Sequence, residues 1–177
     1  MTTATHHLRL FGAPQLLDPR GQPVTLRTRK HLALLVYLAL EAREKPLFRS
    51  ALADLFWPDV REELGRHSLS QALTQFRTHL GKDSFSRSRI KVQLLNGLTT
   101  DVDPGCSKDL QPGDLALPLS GVDSGVGVSF AHWLDRARER CVRQVRTELM
   151  GRLTAARTWG TQKMPTGLLR CSMPWIR

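Results

Sequence analysis

The part of the sequence that most restricts the fold is a long run in which apolar and polar residues recur with the period of an α-helix. It spans residues 61–81, and its apolar stripe consists of Leu69, Leu73, Phe76 and Leu80. The opposite side of the same helix carries small polar side chains, namely His67, Ser70, Gln71, Thr74 and Thr78. Gly81 follows at the position where a left-handed residue commonly ends a helix. One face of this helix therefore packs, and the other is free to contact a partner.

Two shorter helical patterns and a small sheet precede this helix. The first pattern starts at Thr28 and carries apolar residues at helical spacing: Leu32, Leu35, Val36, Ala39 and Leu40. The second begins with Ser50 as its cap and ends before Pro58, because proline cannot continue a helix. Ahead of both, the segments LRLFGAPQLL and VTL flank turn residues and predict short antiparallel strands.

A strand pattern follows the third helix. The segment SFSRSRIKVQLLNGLTT alternates Ile90, Val92 and Leu94 with polar residues, and Asn96-Gly97 is a typical tight-turn pair. We therefore expect a hairpin that turns at Asn96-Gly97. The order of strands, three helices and a terminal hairpin predicts a winged helix with an additional N-terminal sheet over residues 6–100.

The remainder of the chain divides into three segments. Residues 101–129 are rich in Gly, Pro and Ser and predict a linker, whereas residues 130–158 predict one long amphipathic helix. Its apolar stripe contains Phe130, Trp133, Leu134, Ala137, Cys141, Val145, Leu149 and Leu153. Residues 159–177 show no periodicity and are predicted to be a disordered tail.

The charge and the cysteine content narrow the class of protein. A net charge of +10 makes a polyanion the first partner to consider, because clustered cations release counterions from phosphates. Cys106, Cys141 and Cys171 are far apart and odd in number, which is typical of reduced thiols in a cytoplasm. No apolar run is long enough for a signal peptide core or a membrane span, so we expect a cytoplasmic protein without membrane contact.

Three segments of the sequence resemble a known family. RKHLALLVYLALE, FRSALADLFWPD and LGRHSLSQALTQFRTHLG resemble the DNA-binding domain of bacterial SARP-type regulators, a branch of the OmpR/PhoB winged-helix family, and their spacing matches as well. The positions that carry the match are Leu55-Phe56-Trp57-Pro58-Asp59, Ser70-Gln71-Ala72-Leu73, Phe76-Arg77 and Leu80-Gly81. This resemblance implies double-stranded DNA as a partner and places the third helix in the major groove.

The C-terminal part resembles the bacterial transcriptional activator domain of the same proteins. Thr100-Asp101-Val102-Asp103 is similar to the start of that domain, and Phe130 to Arg136 is similar to its WLxxxR helix. Because only one strong helix is present, we interpret the chain as a truncated member: mainly α with small β-sheets, a winged helix followed by a partial, TPR-like activator region. The resemblance implies transcription regulation, activation more than repression, and candidate contacts with RNA polymerase or a second copy of the chain.

The docking mode assigns roles to individual side chains. On the third helix the candidates for base contacts are His67, Ser70, Gln71, Thr74, Gln75 and Thr78, and either glutamine can pair bidentately with adenine. The candidates for phosphate contacts are Arg66, Arg77, Lys82, Arg87, Arg89 and Lys91, of which the last three lie on the predicted hairpin. The basic residues between Arg27 and His31 are interpreted as solvated, and the arginines from Arg136 to Arg157 as the wet side of a packed helix.

Two other classes of function are open at this point. Relatives carry a basic residue where this chain has Thr74 or Gln75, so a protein-interaction module that has lost DNA binding is the alternative, with the basic C-terminal helix docking an acidic partner. An enzyme is not expected, since the sequence offers no catalytic triad and no Gly-rich phosphate loop followed by lysine. Neither a metal nor a cofactor is predicted, and we expect no receiver domain with a phosphorylation site ahead of the winged helix.

Overall fold

The computed structural model describes residues 5–103, 106, 116–122 and 125–162. Its elements, in chain order, are β1 (His6–Arg9), β2 (Gln15–Leu17), β3 (Pro23–Val24), α1 (Arg29–Glu41), β4 (Leu47–Phe48), α2 (Arg49–Phe56), α3 (Glu62–Leu80), β5 (Lys91–Val92), β6 (Leu98–Thr100) and α4 (Val128–Gln162). The predicted fold class is confirmed: the chain is mainly helical with small sheets, and three helices of a winged helix are followed by a further helix. Within this part of the chain, every helix is too short or too polar to cross a bilayer.

The N-terminal sheet has the strand order β3-β2-β1-β6. β1, β2 and β3 pair antiparallel, as the sequence predicts, and Leu8 lies opposite Leu16 with both side chains buried. The fourth strand, β6, pairs parallel with β1. The sheet therefore joins the start of the chain to the segment that follows the wing.

The three helices of the winged helix enclose one apolar core. Thr28 caps α1, where its Oγ1 accepts a hydrogen bond of 3.1 Å from the N–H of His31. The predicted stripe of α3 is confirmed, because Leu69, Leu73, Phe76 and Leu80 are all buried. α2 differs from the prediction: Ser50 is exposed and caps nothing, since β4 runs directly into α2 and Phe48 occupies the cap position without a side-chain hydrogen bond.

The predicted hairpin with its turn at Asn96-Gly97 is wrong. β5 pairs antiparallel with β4, whereas β6 pairs with β1, so these two strands belong to different sheets. The chain instead folds back between Ser86 and Gln93, where the Ser86 N–H donates to the Gln93 carbonyl at 2.9 Å. We call residues 84–95 the wing; its tip is formed by residues 87–90.

Asn96-Gly97 redirects the chain from the wing into the N-terminal sheet. Gly97 has a φ of +84°, and a Cβ at this position would lie 2.7 Å from the carbonyl oxygen of Leu80. The sequence therefore predicts the turn at Asn96-Gly97 correctly, but not the pairing of the strands on either side of it. Pairing with β1 is favoured because it buries Leu98 against the core.

The predicted linker contacts the N-terminal sheet in the part that the structure describes. Leu119 and Val122 are buried, and the N–H of Leu119 donates to the carbonyl of Leu10 at 2.8 Å. Asp101 lies at the junction, where its Oδ2 accepts hydrogen bonds from the backbone N–H groups of Leu10 at 2.7 Å and Phe11 at 3.1 Å. The segment that resembles the start of an activator domain is therefore hydrogen-bonded to the chain just after β1.

The first half of α4 packs on α1 and α2. Phe130 packs against Phe56 with ring centroids 5.1 Å apart, and the indole N–H of Trp133 donates to Glu41 at 2.8 Å. The stripe remains buried as far as Val145, but Leu153 is 60% exposed, contrary to the interpretation that the whole stripe packs. The backbone of α4 starts before residue 130 and continues to residue 162, into the segment expected to be a tail; residues 163–177 lie outside the described part.

Candidate nucleic-acid interface

A concave surface lies between α2, α3 and the wing. We call it the basic concavity; its lining consists of Arg49, Ser50, Arg66, Ser70, Arg77, Lys82, Arg87, Ser88, Arg89 and Ile90. Six of these residues are cationic, and no carboxylate belongs to the described lining. Such a surface attracts polyanions.

Arg49 connects the elements that form the basic concavity. It is the first residue of α2, and its backbone N–H donates to the carbonyl of Ile90 at 2.9 Å. Its guanidinium Nη2 donates to the hydroxyl of Ser70 at 2.8 Å. Arg49 therefore links α2 to both α3 and the wing. The bond to Ser70 holds its guanidinium group inside the concavity.

A second guanidinium lies beside Arg49 in the basic concavity. Arg77 is anchored by its Nη2, which donates to the carbonyl of Ser86 at 3.2 Å. Burial, and then the charge of Arg77, lower the pKa of Arg49. Two like charges held together in this way repel each other, and a bound anion would relieve the repulsion.

The remaining cations of the basic concavity are more exposed. Arg66 pairs with Glu62, and Arg87 pairs with Asp83 at 2.9 Å; each pair is four residues apart in sequence. Exposed ion pairs of this kind contribute little to stability, so a phosphate can replace the carboxylate at low cost. Lys82 and Arg89 also face the concavity.

The basic concavity contains five of the six predicted phosphate contacts. Lys91 does not belong to its lining; its ammonium lies 4.8 Å from the ring centre of Phe48. Arg49 belongs to the lining but is not among the phosphate contacts predicted from the sequence. Arg49 follows β4 directly in the sequence. This position indicates a place beside the wing only once β4 is known to pair with β5.

A second concave surface lies on the other side of α3. We call it the polar groove; it is lined by Arg27, His31, His67, Ser70, Gln71, Thr74, Gln75 and Thr78. The structure thus brings together all six predicted base contacts. Arg27 and His31, which are expected from the sequence to be solvated, belong to the same groove. Ser70 borders both surfaces.

Hydrogen bonds inside the polar groove determine which polar atoms are available. The hydroxyls of Thr74 and Thr78 donate to the carbonyls one turn earlier, at 2.9 and 3.0 Å, so their oxygens are left as acceptors. Gln71 Nε2 donates to His67 Nε2 at 2.9 Å, along the same helix. Gln75 Oε1 is instead bonded to His31 Nδ1 on α1, at 2.8 Å.

The cysteines and histidines do not assemble a metal centre in the part of the chain that the structure describes, where no three of its His, Cys, Asp and Glu residues cluster suitably. Burial raises the pKa of Cys141 to about 11, so this thiol stays protonated at neutral pH. Cys106 is half-buried, and Cys171 lies outside the described residues.

Comparisons with known proteins yield one structural likeness. No family model matches the sequence, and no curated protein matches it. A structure described as Mycobacterium tuberculosis EmbR in complex with low affinity phosphopeptide is similar over 56% of this chain, with 19% sequence identity and a TM-score of 0.46. The similar part makes up 27% of the EmbR chain. The assignment of a winged helix rests on this chain's own element order and strand pairing.

Proposed function

We propose that this protein binds double-stranded DNA sequence-specifically and regulates transcription, with α3 in the major groove and the wing on the backbone. The observation that carries the proposal is the arrangement of two surfaces along one helix. The basic concavity suits phosphates, and the polar groove suits base edges. Ser70 borders both surfaces, so a duplex that contacts one meets the other.

The dimensions of α3 agree with this docking mode. A helix that spans Glu62–Leu80 is about 28 Å long, and the major groove admits a helix of this diameter. The polar groove holds one arginine among amides, hydroxyls and imidazoles, whereas six cations line the basic concavity. The backbone of one DNA strand would then follow the basic concavity while base edges face the polar groove.

The wider assignment extends the same proposal. The resemblance to SARP-type regulators supports a cytoplasmic regulator, activation rather than repression, residues 6–100 as the DNA-binding unit and α4 as the contact with RNA polymerase or a second copy. The phosphate contacts in this proposal are Arg66, Arg77, Lys82, Arg87, Arg89 and Lys91, to which Arg49 is added. The base contacts are the six residues predicted on α3.

A second candidate function is a protein-interaction module. The observation that favours it is a set of exposed apolar side chains along α4, where Val142, Met150 and Leu153 lie among arginines. An acidic amphipathic partner would suit such a surface. In this case α3 would contact no DNA, and its polar groove would simply be solvated.

The experiment that separates the two functions is selection of binding sites from a random duplex library, at a salt concentration near the physiological one. The proposed function predicts enrichment of one motif. The variant R143A/R152A, which removes two exposed arginines from α4, should enrich the same motif as strongly, whereas R49A/R77A should retain far less of every duplex. Absence of enrichment with the unmodified chain would contradict DNA binding and favour the protein-interaction module.

A further inference from the structure

Ser70 borders both surfaces of α3, and its hydroxyl is bonded to two other residues. The hydroxyl donates to the carbonyl of Arg66, four residues earlier on α3, at 2.9 Å. Its oxygen accepts from Nη2 of Arg49, the first residue of α2, at 2.8 Å. Because the single hydroxyl proton is directed to Arg66, Ser70 serves Arg49 as an acceptor.

Two further hydroxyls on α3 provide a comparison. Thr74 donates to the carbonyl of Ser70 at 2.9 Å, and Thr78 donates to that of Thr74 at 3.0 Å. Residues spaced four apart share one side of a helix, so the three hydroxyls form a row. Of the three, Ser70 is the one that also lines the basic concavity and accepts from an arginine. The bond to Arg49 therefore depends on the place of Ser70 in this row.

Arg49 is held at both its backbone and its side chain. Its backbone N–H donates to the carbonyl of Ile90 in the wing at 2.9 Å, and its guanidinium donates to Ser70. A guanidinium has five N–H donors, so one bond to Ser70 leaves donors for the oxygens of a phosphate. A free arginine side chain loses rotamer freedom when it binds a ligand, and this loss lowers the affinity. The bond to Ser70 restricts Arg49 before any ligand arrives.

The neutral character of the Ser70 hydroxyl matters for charge. Two exposed arginines of the basic concavity pair with carboxylates, which a phosphate has to replace. Ser70 instead holds Arg49 without neutralising it, and no carboxylate belongs to the described lining. The charge of Arg77 acts on the same guanidinium. A phosphate at this place would therefore meet a cation that is both held and uncompensated.

We propose that Ser70 is a positioning residue that holds the guanidinium of Arg49 for a phosphate of the DNA backbone, a role that rests on the proposed function. Ser70 then contributes, through Arg49, to the affinity for every duplex. This revises the expectation that Ser70 contacts a base edge.

A double-mutant cycle in the full chain tests this role, with affinities measured by fluorescence anisotropy for the selected duplex and for an unrelated one. Ser70→Ala should weaken binding to both duplexes by roughly threefold to tenfold, the cost of ordering one long side chain. In the Arg49→Ala background the same change should weaken binding by no more than about twofold. Ser70→Thr, which keeps the hydroxyl, should restore most of the affinity that Ser70→Ala loses.

Thr78→Ala is the matched control, since it removes the same kind of hydroxyl bond from α3 at a residue that does not line the basic concavity. Its effect should be equal with and without Arg49. Alanine favours a helix more than serine does, so Ser70→Ala is expected to fold, and circular dichroism checks this.

Two results would overturn the role of Ser70 while DNA binding stands. One is a loss from Ser70→Ala that persists undiminished in the Arg49→Ala background. The other is a loss confined to the selected duplex, which would indicate a base contact. If site selection with the unmodified chain enriches no motif and anisotropy detects no bound duplex, the proposed function and the role of Ser70 are both overturned.

Discussion

The basic concavity and the polar groove border the same helix but differ in chemistry. The concavity holds six cations and lies between α3 and the wing, whereas the groove holds mostly amides, hydroxyls and imidazoles and lies between α3 and α1. Charge attracts every duplex equally, and short neutral side chains distinguish base edges. We therefore expect affinity to depend on the cations of the basic concavity and sequence preference to depend on the side chains of the polar groove.

The largest effect on binding is expected when both held guanidinium groups are removed from the basic concavity. R49A/R77A should weaken binding to any duplex by roughly a hundredfold, because each arginine contributes a charge-assisted hydrogen bond. The slope of log affinity against log salt should become shallower by about 2. Fluorescence anisotropy across a salt series measures both quantities.

R143A/R152A is the control for this loss, since it removes the same charge from exposed positions of α4. It should leave the salt slope unchanged. A slope that flattens equally in both variants would mean that net charge, rather than the basic concavity, governs binding.

A smaller loss of affinity is expected when the arginines at the tip of the wing are removed. Arg87 and Arg89 are exposed, and Arg87 already pairs with Asp83. R87A/R89A should weaken all duplexes by roughly tenfold and also flatten the salt dependence, since exposed contacts are weaker than held ones. An unchanged salt slope would exclude the wing as a phosphate contact.

Changes in the polar groove should act on sequence preference more than on affinity. Q71A/T74A removes two neutral side chains that face the groove and leaves the basic concavity intact. We expect discrimination at the affected base pairs to fall by roughly tenfold, with little change for unrelated duplexes. Competition between the selected site and single-base variants measures this, and identical preferences before and after the change would remove this face from base recognition.

A change distant from both surfaces should affect stability but not binding. Asp101 accepts hydrogen bonds from Leu10 and Phe11, and its Oδ1 lies 2.9 Å from His7 Nε2. Asp101→Asn should lower the free energy of unfolding by about 1–3 kcal/mol, because a buried charged acceptor is lost. Affinity for DNA should stay the same at temperatures where both proteins are folded, and a loss of affinity there would show that the two surfaces depend on this junction.

The same carboxyl predicts how stability depends on pH. Burial alone would raise the pKa of Asp101, but the hydrogen bonds from His7, Leu10 and Phe11 outweigh it and hold the pKa below its ordinary value of 3.8. Its contribution is therefore present above pH 3.8 and is lost as the pH falls through the folded-state pKa. As the pH falls through this acidic range, the free energy of unfolding should decrease less for Asp101→Asn than for the unmodified chain, as measured by urea titrations at each pH.

Much of the candidate site follows from the helical period alone. All six predicted base contacts line one groove, because residues that share a face of α3 are fixed by 3.6 residues per turn. The basic concavity was harder to predict, since Arg49 and the wing tip meet α3 only through the pairing of β4 with β5. Such pairing joins distant parts of the sequence and leaves no local pattern.

The apolar stripe of α4 illustrates a related limit. The sequence predicted a single packed stripe, yet Val145 is buried and Leu153 is exposed. Periodicity identifies the face of a helix that is apolar, but the extent of its contact depends on how far the neighbouring helices reach. Here α1 has 13 residues and α2 has 8, whereas α4 has 35.

An NMR titration of the isotope-labelled chain with the duplex that site selection returns would show which residues contact DNA. We expect the amide signals of α3 and of residues 86–91 to shift on binding, whereas those of α4 beyond Val145 should stay in place. Shifts concentrated on α4, with α3 unchanged, would contradict the claim that α3 and the wing form the DNA-binding surface.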